Sequence, residues 1–430
     1  MANRTALVAL AARAAGMAGA FAMTVAITRS LSKPHAGLVL LTYTLLTVAA
    51  TLARFGADNL ALREVSKGGA DRAALVRHSV GVALIGSPVA MALLAVALMA
   101  QGDGTTDPSL VLAACLAVFP AAMSIIAGAV LRGLSRLAAG MLAELGSPAL
   151  LATVGIAALG LTGRSSATSA VWMLALGNAV TMVWSWWLIR RTLPEVRRRA
   201  AGFRVYLSTF RPALAAFFTT SIGFFLLAWL PVLVLGFAIL DPTQANLEVA
   251  RYNAAARLAQ FVPLVSVIQI SYLSQQFASL HHRGEIAAIN ALSQRATRQA
   301  ALWAGGLTVG LCLLPEVALR LFGDYADAAG GVRILALGAL LVVLAGPVNG
   351  LLLTCGHERQ AGRYTLALVV ASAVILPLVV RWGYEAVAVG SAVGSILYAV
   401  AGYLALRPSG IHAALPARSP AVAPTKGGRP

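Results

Sequence analysis

Charge is what this chain has least of. Only 11% of its 430 residues are charged, and acids are the scarcest, with 15 Asp and Glu against 33 Lys and Arg. A soluble domain carries about 25% charged residues, so a water-facing fold is excluded. Cysteine is nearly missing. Cys115, Cys312 and Cys355 lie far apart in or beside apolar stretches, a spacing that builds neither a disulfide framework nor a metal site. Long polar loops are lacking too. The connections read below as external are short and hold no cluster of His, Asp or Glu, so the acid–base or metal chemistry of a membrane-embedded glycan polymerase or ligase has no place to sit.

What remains is apolar: 59% of residues are hydrophobic and the mean hydropathy is +0.82. A bilayer asks for about 20 apolar residues per helix. Stretches 6–28, 36–57, 78–100, 109–131, 137–161, 168–189, 212–240, 249–276, 299–319, 331–354, 362–380 and 385–406 supply them. Ser32-Lys33-Pro34, Gln101-Gly102-Asp103-Gly104, Thr162-Gly163-Arg164 and Asp241-Pro242 punctuate them with turn chemistry. The expected class is all-α: a polytopic membrane protein of about 12 helices. The first stretch reads as an uncleaved first span rather than a secretion signal, because many spans follow it.

The formal net charge of +18 is an orientation signal. Most basic residues fall on one face of this map, in Arg63 to Arg77, Arg132 and Arg136, Arg190 to Arg211, Arg283 to Arg298 and the C-terminal end. By the positive-inside rule that face, with both termini, is cytoplasmic. No basic patch with interleaved aromatics lies on a soluble segment, so nucleic acid is not the partner. The longest basic connection separates two six-helix lobes, residues 1–200 and 201–406, with a Pro- and Ala-rich tail over 407–430 that reads as disordered. Such halves enclose a central site in many transporters.

Three arginines, Arg13, Arg54 and Arg257, stand within the spans. A guanidinium at membrane depth faces water or a partner. At about 100° per residue, Asn253, Arg257, Gln260, Ser271 and Gln275 share a stripe on the eighth span. Thr44, Thr47, Thr51, Arg54 and Asp58 share one on the second. Polar stripes in membrane helices face protein or water, so the two imply a hydrated cleft between the lobes. Asp58 is placed to pair with Arg54 at i,i+4, and Glu144 to balance a cavity arginine or carry a coupling proton. Asn178 and Asn349 read as interhelical hydrogen-bonding residues. Gly306-x-x-x-Gly310, Gly346-x-x-x-Gly350 and Gly390-x-x-x-Gly394 read as close-packing sites. Pro231, Pro263, Pro347 and Pro377 read as kinks.

Several segments carry a family likeness: Ala26-Ile27-Thr28-Arg29-Ser30-Leu31-Ser32-Lys33-Pro34-His35-Ala36-Gly37, Arg54-Phe55-Gly56-Ala57-Asp58-Asn59-Leu60, Val249-Ala250-Arg251-Tyr252-Asn253-Ala254-Ala255-Ala256-Arg257-Leu258, and Leu321-Phe322-Gly323-Asp324-Tyr325. With them the chain resembles the multidrug/oligosaccharidyl-lipid/polysaccharide exporter superfamily, and within it the polysaccharide flippase branch that includes O-antigen flippases. The resemblance implies two six-helix lobes around a cationic cavity that takes the diphosphate of a polyprenyl-linked glycan. Arg13 and Arg257 match its cavity arginines and Arg54 is a third candidate. Asn253, Gln260 and Thr51 join them as substrate-binding candidates, with Asp58 and Glu144 as charge-balancing ones.

The expectation is therefore a cell-membrane flippase working as a monomer by alternating access. It would use no cofactor and would be driven by a proton or sodium gradient or the membrane potential. Its partners would be membrane lipids, its lipid-linked substrate, and a glycan polymerase or glycosyltransferases. The competing reading is a cation-coupled multidrug antiporter of the same superfamily. A cationic cargo wants carboxylates in the cavity, where the first span offers Arg13 and no acid.

Overall fold

The computed structural model describes residues 2–67, 72–101, 106–193 and 202–412, and among them there are helices and turns but no strand. The first half comprises α1 (Ala2–Ser30), α2 (Lys33–Arg54), α3 (Ala57–Ser66), α4 (Arg72–Gln101), α5 (Pro108–Gly133), α6 (Leu137–Met141), a π-helical turn (Leu142–Gly146), α7 (Ser147–Leu161) and α8 (Ala167–Thr192). The second comprises α9 (Phe203–Ala238), α10 (Pro242–Ala259), α11 (Leu264–His282), α12 (Ile286–Leu313), α13 (Pro315–Leu319), α14 (Ala329–Leu344), α15 (Val348–Thr354), α16 (Glu358–Val379) and α17 (Tyr384–Leu406). Seven helices are long and apolar enough to cross a bilayer alone, and four more segments qualify as bent pairs. These eleven match eleven of the twelve expected spans, and the 29-residue α1 occupies the remaining one.

Each half packs chiefly against itself. The seam between them is α2 laid along α9 and α10. The seam is tight because small residues let backbones touch: a Cβ at Gly37 would overlap the Asn246 carbonyl, and one at Gly56 would crowd the Leu214 carbonyl and the Phe218 amide of α9. Within the first half, Gly128 and Gly140 meet backbone to backbone, bringing the π-helical turn against α5. The Gly306-x-x-x-Gly310 pair does not make such a contact: both Cβ positions look into open space. On a helix whose outer face carries Leu302, Val309 and Leu313, all exposed, those glycines have no neighbour to approach.

Two of the four prolines act as expected. Pro263 separates α10 from α11, with a 62° bend, and Pro347 precedes α15. Proline has no N–H to give and clashes with the carbonyl four residues back, so the helix restarts after it. Pro231 and Pro377 remain inside α9 and α16; α9 bends by 47° between Gly223 and Phe225 instead. The break at Pro263 corrects the continuous eighth-span stripe. Asn253, Arg257 and Gln260 belong to α10 and its cap, whereas Ser271 and Gln275 lie past the bend, and their side chains fall outside the described residues.

The turn after α2 positions the charges that follow. Phe55 and Gly56 both adopt left-handed backbone (φ 43° and 77°). For Phe this costs about 1–2 kcal/mol, offset by its ring stacking on Phe218 at 4.4 Å. The reversal lays α3 so that Asp58 returns to Arg54. Past Leu406 the chain stays packed through His412, where Ile411 is buried and the His412 amide donates to Asn290. Most of the expected tail, 413–430, lies outside the described residues.

Candidate functional site

A cavity of about 260 Å³ lies at the seam, walled by α1, α2, α5, the π-helical turn, α7 and α8 on one side and α9 and α10 on the other. Arg54, Glu144, Asn178, Tyr43 and Thr47 line the first-half wall; Arg257, Gln260, Phe225 and Phe261 line the second. A second chamber of about 450 Å³ opens beside it within the second half, and Arg257 and Gln260 line both.

Arg257 is 8% exposed. Its Nε donates to the Thr24 hydroxyl of α1 at 3.1 Å and an Nη to the Gln260 amide oxygen at 3.2 Å. Its guanidinium lies 5.7 Å from the centre of the Trp229 ring. Neutral oxygens and a ring face hold it, and among the described residues no carboxylate pairs with it. Arg54 differs. It pairs with Asp58 at 3.1 Å and donates to the Thr51 hydroxyl at 3.3 Å. The Arg54 Nε and one Asp58 oxygen are buried without a partner. Glu144 lines the cavity but faces Arg132 at 2.8 Å, so its charge is compensated. At the same end, on α3, Lys67 hydrogen-bonds Glu64 and holds its carboxyl below the usual range.

Of the expected site residues, Arg54, Arg257, Gln260 and Glu144 meet at the cavity, and Asn253 lines the chamber behind Arg257. Thr51 and Asp58 stand one layer back, holding Arg54. The threonine stripe does not line the cleft as a whole. Thr44 and Thr51 are buried, and Thr44, Thr47 and Thr51 each donate to the carbonyl four residues earlier; only Thr47 reaches the cavity wall. Hydroxyls that bond their own helix satisfy the membrane's demand without water. Arg13 stands on α1 one turn before Met17, a cavity-lining residue; its side chain lies outside the described residues. Asn349 accepts from the Tyr398 hydroxyl at 3.1 Å, joining α15 to α17.

Sequence reasoning missed Tyr43, Trp229, Ser391 and Ser395. Aromatics and serines in apolar helices are too common to signal a site, although the i,i+4 spacing of the two serines was available. It also missed a clamp at the far end of the seam. Asp327 accepts from Lys33 at 3.2 Å and from Arg251 at 2.7 Å, Arg251 also pairs with Glu248 at 2.7 Å, and Glu248 accepts from the Tyr384 amide. Arg29 donates to the carbonyls of Leu321 and Arg320. First-half bases thus grip second-half acids and carbonyls across nearly three hundred residues of chain.

No protein-family model matches the sequence, and no curated protein matches it. Solved structures do match in fold. An inward-facing multidrug resistance MATE family transporter of the MOP superfamily superposes with a TM-score of 0.68 at 16% identity, covering 94% of this chain and 97% of that one. The lipid II flippase MurJ in an inward closed conformation gives 0.67 at 11% identity, over 94% and 87%. A MOP superfamily transporter from Pyrococcus furiosus, described as having reversed polarity of the binding pocket, gives 0.63 at 14%, over 94% of each. The chain therefore has the two-lobed, twelve-helix fold of these transporters.

Proposed function

We propose that this protein is a flippase that carries a polyprenyl-diphosphate-linked oligosaccharide across the cell membrane by alternating access. One observation carries the reading: Arg257 is a buried guanidinium in a segment apolar enough to cross a membrane, on the wall of a cavity, with no carboxylate partner among the described residues. Such a group costs several kcal/mol and repays it only when an anion arrives. Arginine's planar fork suits a diphosphate, which it can meet with two charge-assisted hydrogen bonds. Arg54 faces it from the other lobe, pre-paired with Asp58, and Arg13 is placed to join them. The basic Arg54 end is the cytoplasmic side and the clamped Lys33 end the outer side. The isoprenoid would remain in the bilayer while the headgroup crosses in the cleft. Drive by a proton or sodium gradient or by the membrane potential, a monomeric working unit, and hand-over to glycan polymerases or from glycosyltransferases complete the proposal.

The alternative, a cation-coupled multidrug antiporter, draws on the MATE-like fold and on Glu144 in the cavity wall. Glu144 is already paired with Arg132, which leaves no unpaired acid for a cationic drug among the described residues of the cavity wall. The two readings part in one assay. Purified protein in liposomes containing a fluorescent polyprenyl-diphosphate sugar should move it between leaflets, and should give no uptake of a cationic dye. Dye uptake without lipid movement would reverse the assignment.

A further inference from the structure

A groove on the outer side of the seam has a chemistry that the cavity does not share. It holds about 660 Å³ between α2, α4 and α9. Leu52, Ile85, Val89, Leu93, Leu214 and Phe218 make most of its wall. Ile85, Val89 and Leu93 are exposed, so in a membrane protein the groove faces lipid. From Val82 to Leu93 the α4 wall rises about 16 Å at 1.5 Å per residue. That is close to the depth of one leaflet, half of a hydrocarbon core about 30 Å thick. The groove and the cavity have no lining residue in common. α2 turns Thr47, Ala50 and Arg54 to the cavity and Leu52 and Phe55 to the groove. It also packs so closely on α4 that a Cβ at Gly86 would overlap the Ala53 carbonyl. An occupant of the groove therefore needs a headgroup anchored outside the cavity.

Arg211 supplies the anchor. Among the described residues it is the groove's one charged member. It is exposed, and no described carboxylate pairs with it. Arg204, Ser208 and Arg211 follow one another at four and three residues and so share a face of α9. From residue 212 onward that helix turns apolar, which puts the basic face at the membrane boundary and the apolar wall inward of it. A guanidinium there meets a lipid phosphate with charge-assisted hydrogen bonds. The groove offers no described acid to the ammonium of a zwitterionic headgroup, so the net charge it favours is negative. We propose that this groove is a binding site for one anionic phospholipid of the cytoplasmic leaflet, with its phosphate on Arg211 and one acyl chain along α4. That lipid touches α2 and α4 of the first half and α9 of the second, and ties them at the basic end as the Asp327 clamp ties the other. The inference is independent of what the cavity carries, and takes only its leaflet from the orientation proposed above.

The test places the full chain in phosphatidylcholine vesicles doped, at equal mole fraction, with phosphatidylglycerol or phosphatidylcholine carrying a diazirine on one acyl chain. After irradiation the labelled residues are mapped by mass spectrometry. The phosphatidylglycerol probe should label 82–93 and 203–218 about fivefold more than the exposed Leu366, Val370 and Val374 of α16, the worth of one basic residue near an anionic surface. The phosphatidylcholine probe should show no such excess. Arg211→Gln should bring the first probe down to the level of the second. Val89→Trp, at an exposed side chain whose added bulk fills the groove, should remove the excess with Arg211 in place. Equal labelling of the groove and α16, the same excess with both probes, or an excess that survives both substitutions would overturn the site. Stronger competition by unlabelled polyprenyl diphosphate than by unlabelled phosphatidylglycerol would assign the groove to an isoprenoid tail and overturn the phospholipid.

Discussion

Arg257 and Arg54 look alike in sequence and differ in what surrounds them. Arg257 rests on a hydroxyl, an amide oxygen and an indole face, none of which cancels its charge. Replacing it by Ala should abolish glycan-lipid translocation while leaving membrane insertion intact. Lys, which keeps the charge but not the fork, should retain a fraction of activity at an affinity lowered about 10-fold or more; both are read by leaflet translocation in liposomes. Arg54 has a structural duty as well. It and Asp58 are both under a tenth exposed, and removing one member of a buried pair strands the other at a cost of about 3–5 kcal/mol. Arg54→Ala should therefore lower thermal stability sharply, whereas Arg54→Met with Asp58→Leu should recover most of it, as a melting series in detergent would show. The i,i+4 pairing was legible from spacing alone, and so was Arg257 as a misplaced cation. The threonine stripe misled because a hydroxyl can satisfy itself on its own helix, and Trp229 and the α17 serines gave no signal because their residue types are ordinary in apolar helices.

At the scale of elements, apolar length placed each span, since hydrocarbon thickness sets that length directly, but not its ends: α9 begins at Phe203 rather than at 212 and α12 at Ile286 rather than at 299, because the helices run on into polar residues. The departures are backbone events. Pro263 turns a kink into a 62° break, and α9 bends at Gly223–Phe225 although Pro231 lies nearby; the packing around each decides this, and packing is not local in sequence. The seam between α2 and α10 is the clearest such case. Gly37 lies where the Asn246 carbonyl occupies the space of a side chain, and beside it Gln101 donates to the Asn246 side chain at 2.8 Å, both buried. Gly37→Ala should force α2 and α10 apart at the clamped end, an overpacking worth about 1–3 kcal/mol. The expected result is a protein that still inserts but exposes its cavity from the Lys33 end. Labelling of a Thr47→Cys reporter by a membrane-impermeant maleimide would reveal it, read in a background with Cys115, Cys312 and Cys355 replaced.

For the whole molecule the question is which end of the seam is held shut, and by how much. The far-end clamp joins the lobes through half-exposed charges: Lys33 and Arg251 share Asp327, and Arg29 caps the carbonyls at Arg320 and Leu321. Exposed pairs contribute only about 0.2–1 kcal/mol each, so the network should bias a two-state equilibrium by about 1–2 kcal/mol rather than lock it. That size suits the proposed alternating-access cycle, which must pass through both states; a stronger clamp would trap it. Asp327→Asn removes the acceptor charge that Lys33 reaches across the seam and should raise the population open at the Lys33 end by up to about 5-fold. Distance distributions between spin labels on α2 and α10 near Lys33 and Glu248 would show a longer component in the variant. The Thr47→Cys reporter should gain labelling from the same side. Unchanged distances would mean that the helix seam, and not the charges, keeps this end closed. In the proposed alternating-access cycle, which needs both states, the variant should also be slowed in net translocation once opening ceases to be limiting, and Lys33→Ala should open this end at least as far, since it removes the cross-lobe contacts to Asp324 and Asp327 together, whereas the Arg251–Asp327 pair lies within one lobe.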